Sequence, residues 1–249
     1  MQNHKHLGVL AHSAEGAALC FLTFCREGFE KIGPHLHPDV TVDCMALGRS
    51  MAAWENGNYA EIREILATSI ERLAAAGAEF FVCPDNTAHI VLEMTGPELP
   101  LPGLNIADVV AAEAVRRGMR RVGVLGTKFT MNGPVYPRAL GARGVDCAAP
   151  APEDRAVIDW IIFDELVEGR FTDRSRATFA EIIARLASDG CDGAALVCTE
   201  IPLLVTPETS PLPTLDSTRL LAKAAFDVAV GNAPAPQWRG GPVADPPAV

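Results

Sequence analysis

No stretch of about 20 apolar residues runs through this sequence without a polar or charged interruption, which argues against a transmembrane helix. The opening residues, MQNHKHLGVLAHSAEG, pass from a short polar lead straight into LGVLA and lack the longer apolar core and small-residue cleavage site of a signal peptide. Positive charge is scarce: 21 Lys and Arg stand against 31 Asp and Glu, for a formal net charge of −10. Nucleic acid, whose phosphates need a basic surface, is therefore not the expected partner. Neither G-x-G-x-x-G nor G-x-x-x-x-G-K-[ST] follows any apolar run, which disfavours a nucleotide cofactor. The seven cysteines form no C-x-x-C pair and no Cys/His metal spacing, so no metal is expected. Together these gaps point to a cytoplasmic protein with reduced thiols, most of them small buried hydrophobes. A small anionic substrate stays open, because one arginine or one helix amino terminus can hold it inside an acidic protein.

What is present is a regular alternation. LGVLA (7–11), TVDCMAL (41–47), EFFVC (79–83), RVGVLG (121–126), VDCAA (145–149) and GAALVC (193–198) read as buried strands. Helical spacing fills 15–31, 59–76, 107–118, 133–143, 155–168, 174–188 and 216–230; in 59–76, Ile62, Ile65, Leu66, Ile70 and Leu73 recur every three or four residues. Strand and helix in alternation imply an α/β fold with parallel sheet covered by helices.

The two halves echo each other. AGAEFFVCPDNT (76–87) aligns without gaps on DGCDGAALVCTE (189–200), matching Asp85 to Cys198, 113 positions apart. LGVLAHS and VGVLGTK align Gly8 with Gly123, 115 positions apart. Two matches at almost one offset predict two related lobes. The expected boundaries are 1–104 plus 212–231 for the first lobe and 105–211 for the second. Residues 232–249, rich in Pro, Gly and Ala, are expected to be a flexible tail, in which Trp238 has no evident docking place.

Ligands of open α/β sheets bind beyond the carboxyl ends of the strands. Three such ends carry chemistry: AHS (11–13), CPDNTAH (83–89) and CTE (198–200). Were the halves to pack face to face, Asp85 and Cys198 would oppose each other across one cleft, the arrangement a two-base proton transfer needs. Asn86, Thr87 and Thr199 offer donors to a carboxylate, as do Thr127 and Thr130 after a strand of the second half.

At these residues the sequence resembles the aspartate/glutamate racemase family. CPDNTAH is similar to that family's Cys-Asn-Thr-x-His segment, with Asp85 where the first catalytic cysteine stands. LVCTEIPLL (196–204) resembles its second signature and places Cys198 on the second catalytic cysteine. GVLGTKFTMNGPVY (123–136) is similar to its Gly-Thr-x-x-Thr-Met…Tyr segment. The resemblance spans about 7–230 and implies two pseudo-symmetric, Rossmann-like α/β lobes and no pyridoxal phosphate, metal or nucleotide. It further implies a homodimer, with Cys198 handling the proton of the L-enantiomer. By the same resemblance Ser13 lies in a substrate-binding loop, although His12-Ser13 departs from the usual Gly-Met-Ser. Arg49 stands where acidic-amino-acid members keep a carboxylate-binding arginine.

Replacing a thiol by a carboxyl leaves alternatives open. Asp85, with an ordinary pKa of about 4, needs desolvation to raise that value before it can serve as a base for an α-proton. It can instead cap the following helix, and Cys83 can take the missing thiol's place. His89, one turn beyond Asp85, is either a site-orienting group or a core histidine. Glu200 reads as a hydrogen-bond partner rather than a base, and backbone N–H groups of a helix start after Cys198 are expected to favour its thiolate. The leading expectation is a cofactor-independent racemase or epimerase of an acidic amino acid. The Asp/Cys asymmetry, roughly four units in intrinsic pKa, predicts unequal forward and reverse behaviour. The alternatives are a decarboxylase of substituted malonates using Cys198 as proton donor, a maleate isomerase or hydantoin racemase, and a binding protein without catalysis.

Overall fold

The computed structural model describes residues 4–243. In chain order its first part holds β1 (Leu7–Ala11), α1 (Ala14–Lys31), β2 (Val40–Cys44), α2 (Gly48–Glu55), α3 (Tyr59–Ala75), β3 (Phe80–Val82), α4 (Ala88–Leu92) and β4 (Gly103–Leu104). The second part holds α5 (Ile106–Arg116), β5 (Arg121–Leu125), α6 (Lys128–Asn132), α7 (Val135–Gly141), β6 (Asp146–Ala148), α8 (Pro152–Ile161), α9 (Asp173–Ser188), β7 (Gly193–Leu196), α10 (Ile201–Leu204) and β8 (Thr214–Asp216). A π-helical turn, Ile162–Leu166, extends α8. The last helix, α11 (Ser217–Ala229), belongs with the first part.

The described residues divide into two compact units, 4–106 with 218–243, and 107–217. Each carries one four-stranded parallel sheet, and the two orders correspond strand for strand: β2-β1-β3-β4 and β6-β5-β7-β8. The internal echo thus extends to topology.

Physical causes correspond as well. α3 starts at Asn58, whose side chain accepts the free Glu61 N–H and donates to the Glu61 carboxylate. Its Ile62, Leu66, Ile70 and Leu73 are fully buried against the sheet, each side chain contributing about 1.5–3 kcal/mol of transfer free energy. α9 starts at Thr172, which accepts the Ser175 N–H, and buries Phe179, Ile182, Ile183 and Leu186. Each of these helices needs a glycine on the neighbouring strand. A Cβ on Gly8 would lie 3.1 Å from Leu73, and one on Gly123 would lie 2.7 Å from Leu186.

The differences from the sequence expectation are local. The strand expected at 41–47 is an edge strand, 40–44, with two of its five residues exposed and the other three half-buried. β4 and β8 escape a pattern search because they are two and three residues long. Each follows a proline whose carbonyl accepts from the adjacent central strand, Pro102 from Phe81 and Pro213 from Ala194. The short α2, α4, α6 and α10 carry too few turns for a periodic signal.

The expected tail is corrected over its described part. Residues 232–243 pack on the first unit: the Leu99 N–H donates to Arg239 O, the Gly103 N–H to Trp238 O and the Gly241 N–H to Leu92 O, all at 2.8 Å. Trp238 rests against Phe81 and His89. The rest of the expected tail, 244–249, lies outside the described residues.

Candidate active site

In the first unit the loops after β1, β2 and β3 emerge side by side, because β1 lies between the other two strands. His12 leaves β1, Arg49 and Ser50 sit in the first turn of α2, and Asp85, Asn86 and Thr87 follow β3. His12 joins all three loops. Its Nδ1 lies 2.6 Å from Asp85 Oδ2 and its Nε2 lies 2.8 Å from Ser50 Oγ. Ser50 Oγ donates its one hydrogen to Leu47 O at 3.0 Å, so Nε2 is the donor toward Ser50. The shared proton of the pair then lies along the line between Nδ1 and Oδ2.

Asp85 also accepts the Ala88 N–H on Oδ1 at 3.1 Å, the capping bond weighed above. Capping and a placed carboxylate coexist in one side chain, which keeps 15% of its surface exposed beside a His12 with 3%. Burial pushes the Asp85 carboxyl upward, but the hydrogen bond and charge of His12 and the Ala88 N–H pull harder, leaving it below the usual aspartate range. The condition set above for Asp85 to serve as a base, a value raised by desolvation, is not met, because His12 holds the carboxyl ionised.

Cys83 is fully buried, and burial, reinforced by the charge of Asp85, pushes its thiol well above the usual range, which weighs against its taking the missing thiol's place. Asn86 is buried and Thr87 half-buried. His89 is fully buried; its Nδ1 donates to the Asp85 carbonyl at 2.9 Å and its Nε2 accepts the Ile106 N–H at 3.3 Å. Ser13 stands at the amino end of α1 without a side-chain capping bond. Arg49 is exposed.

The second unit repeats the scheme. Cys198 lies just past β7, 9% exposed, and its Sγ donates to Glu200 Oε2 at 2.9 Å. Thr199 and Glu200 are buried beside it. The helix that starts after Cys198 is α10, four residues long, and the thiol donates to the Glu200 carboxylate at its amino end. Thr127, after β5, accepts the Thr130 N–H at 3.3 Å, and the two hydroxyls lie 3.2 Å apart. These loops touch: a Cβ on Gly126 would lie 2.8 Å from Val197. Sequence reasoning missed Ser50, whose only signal was its place beside Arg49.

Among the described residues no group of three His, Cys, Asp or Glu is placed to hold a metal ion, and no helix is long and apolar enough to cross a membrane.

Each unit therefore sets one hydrogen-bonded pair of ionisable side chains, His12 with Asp85 and Cys198 with Glu200, just past corresponding strands of its sheet. The chain belongs to the Asp/Glu/Hydantoin racemase family, whose sequence model matches residues 21–225. It is 23% identical over 167 residues to the broad specificity amino-acid racemase RacX of Bacillus subtilis (strain 168), covering 67% of this chain and 72% of that protein. It is 30% identical over 184 residues to the glutamate racemase of Exiguobacterium sibiricum, covering 67% of this chain and 64% of that one, slightly under two thirds of its length. Among solved structures, an aspartate racemase homologue from Pyrococcus horikoshii OT3 superposes with a TM-score of 0.74 at 25% identity, covering 90% of this chain and 99% of that one. The Picrophilus torridus aspartate racemase gives 0.71 at 21% identity, covering 90% and 94%, and bears on the fold alone.

Proposed function

We propose that the protein is a cofactor-independent racemase or epimerase of an acidic amino acid or close analogue, in which Asp85 and Cys198 exchange protons with opposite faces of the α-carbon. The observation that carries this reading is the pairing of each group with a partner at corresponding strand ends: Asp85 with His12, and Cys198 with Glu200. In the direction from the L-enantiomer, Glu200 takes the Cys198 thiol proton, the thiolate removes the α-proton, and Asp85, itself ionised, relays the proton it shares with His12 to the other face, leaving His12 to be reprotonated from solvent. The reverse direction exchanges these roles. Arg49 holds the substrate's second carboxylate, and Asn86, Thr87, Thr127, Thr130, Thr199 and Ser13 supply donors to the α-carboxylate or order its loops. Assembly as a homodimer in the cytoplasm, without pyridoxal phosphate, belongs to the same proposal.

The lowered Asp85 carboxyl weighs against the malonate decarboxylase alternative, because an ionised carboxylate there repels a dianionic substrate. It also refines the expected asymmetry. Two enantiomers have equal free energy in water, so kcat/KM is the same in both directions and the unequal bases express themselves only in kcat and KM separately.

Purified protein incubated with each enantiomer of aspartate and of glutamate, with no added cofactor, tests the proposal by chiral chromatography. Loss of optical purity that is abolished in Cys198→Ala supports it. No conversion of either acid or of close analogues, by folded protein, rejects it.

A further inference from the structure

The segment 232–243 is held by the very elements that carry the first acid–base group. Trp238 O accepts the Gly103 N–H from β4, next to the β3 strand that leads to Asp85. Gly241 donates to Leu92 O at the end of α4, the helix that follows Asp85. Arg239 Nη1 donates to Leu99 O and Pro100 O, at 3.1 and 2.7 Å, in the loop that joins those two elements. The Trp238 indole closes the turn by donating Nε1–H to Gly241 O at 2.9 Å.

The indole face is the working part of this contact. It stacks on the His89 imidazole with centroids 6.0 Å apart and planes 15° apart, and leans on Phe81 at 6.2 Å. Gly103 makes room for this layer, since a Cβ there would stand 2.3 Å from the Phe81 ring. A backbone N–H can only donate, so the bond from Ile106 makes His89 Nε2 an acceptor and leaves the ring hydrogen on Nδ1, directed at the Asp85 carbonyl. The plane in which that hydrogen points is the plane the indole fixes.

We propose that residues 232–243 form a positioning strap for the first acid–base group, with Trp238 as a positioning residue that sets the His89 ring and through it the main chain of Asp85. The inference rests on the proton-transfer role assigned to Asp85 and adds the structure that holds that residue in register. Small misplacements of a reacting group are costly: a shift of about 1 Å can lower a rate by about a hundredfold.

The test uses the full-length chain carrying Trp238→Ala, Trp238→Leu or Trp238→Phe, with turnover of the best acidic amino acid and proton NMR of the His12 Nδ1 hydrogen, which a 2.6 Å bond to Asp85 places far downfield. The strap predicts that Trp238→Leu, which keeps apolar volume but no flat face, stays folded and loses about tenfold or more in kcat with little change in KM. Its downfield signal shifts or broadens, and Trp238→Phe restores most of both. Should Trp238→Ala fail to fold, the Leu and Phe variants decide. Turnover and a His12 signal unchanged in Trp238→Leu overturn the strap, whatever happens to Tm. If the wild type turns over no acidic amino acid, the racemase proposal fails by itself, and the NMR comparison alone decides whether the strap positions Asp85.

Discussion

His12 Nδ1 and Asp85 Oδ2 lie 2.6 Å apart, joining the loops that leave two neighbouring strands of the first sheet. This bond outweighs burial and lowers the carboxyl. A group whose folded pKa lies below its unfolded value, about 3.9 for aspartate, adds stability above that value and loses it as the pH falls through the folded pKa. His12→Ala should therefore flatten the acid side of the stability curve and cost about 1.5–3 kcal/mol near neutral pH, as expected for a charge-assisted bond. It should also move the acid limb of activity upward, since burial then acts on Asp85 with less opposition. Urea titrations and pH–rate profiles measure both, and an acid limb that stays in place contradicts the pairing.

Glu200 accepts the Cys198 thiol hydrogen, so Glu200→Gln keeps the shape while removing the proton acceptor. A fall of about 10²–10⁴-fold in kcat is expected for a lost general base. Alkylation of Cys198 by iodoacetamide, followed by peptide mapping, should instead quicken, because losing the neighbouring negative charge eases ionisation of the thiol. An alkylation rate equal to wild type would show that Glu200 does not govern the thiol.

Arg63 offers a stability test away from the chemistry. The residue is 9% exposed and donates Nη2 to Pro97 O at 2.7 Å, while Nε and Nη1 are buried without a hydrogen-bond partner. Burial lowers its affinity for a proton. Each such unsatisfied group costs about 1–3 kcal/mol, so Arg63→Met, with similar length and no polar atoms, should leave stability unchanged or raise it by about 1 kcal/mol. A fall in Tm of several degrees would mean that the arginine has a partner in solution.

Glu113 sets part of the acid stability of the second unit. Arg116 and Arg117 hold its carboxylate at 2.6 Å, and its pKa falls from 4.5 to about 2. The stability it adds is complete above about pH 4.5 and is lost as the pH falls toward 2. Because both arginines reach solvent, Glu113→Gln should cost only about 1 kcal/mol at neutral pH and almost nothing at pH 2. An equal cost at both pH values contradicts this.

The sequence made strands and long helices legible because their apolar spacing is a direct image of burial. Gly8 and Gly123 revealed the repeat because both admit a leucine from the adjoining helix, a demand the fold makes twice. Cys198 and Asp85 were found by strand-end position and motif. What stayed hidden was pairwise. Nothing in the chain joins His12 to Asp85, 73 residues away, or to Ser50, and that contact outweighs burial and lowers the carboxyl. Trp238 was opaque for the same reason, because a Pro- and Gly-rich segment reads as tail unless its partners, Leu92, Leu99 and Gly103, are known.

The central claim is that Asp85 and Cys198 each serve one face of a single carbon. Proton NMR of α-deuterium uptake in deuterated water, from each enantiomer of the best acidic substrate, tests it most directly in wild type, Asp85→Asn and Cys198→Ala. Wild type should label both enantiomers while interconverting them. Asp85→Asn should exchange the L-enantiomer's α-proton without inverting it, and Cys198→Ala should exchange only the D-enantiomer's. Inversion at the wild-type rate in either folded variant, or no deuterium uptake by wild type, would contradict the account.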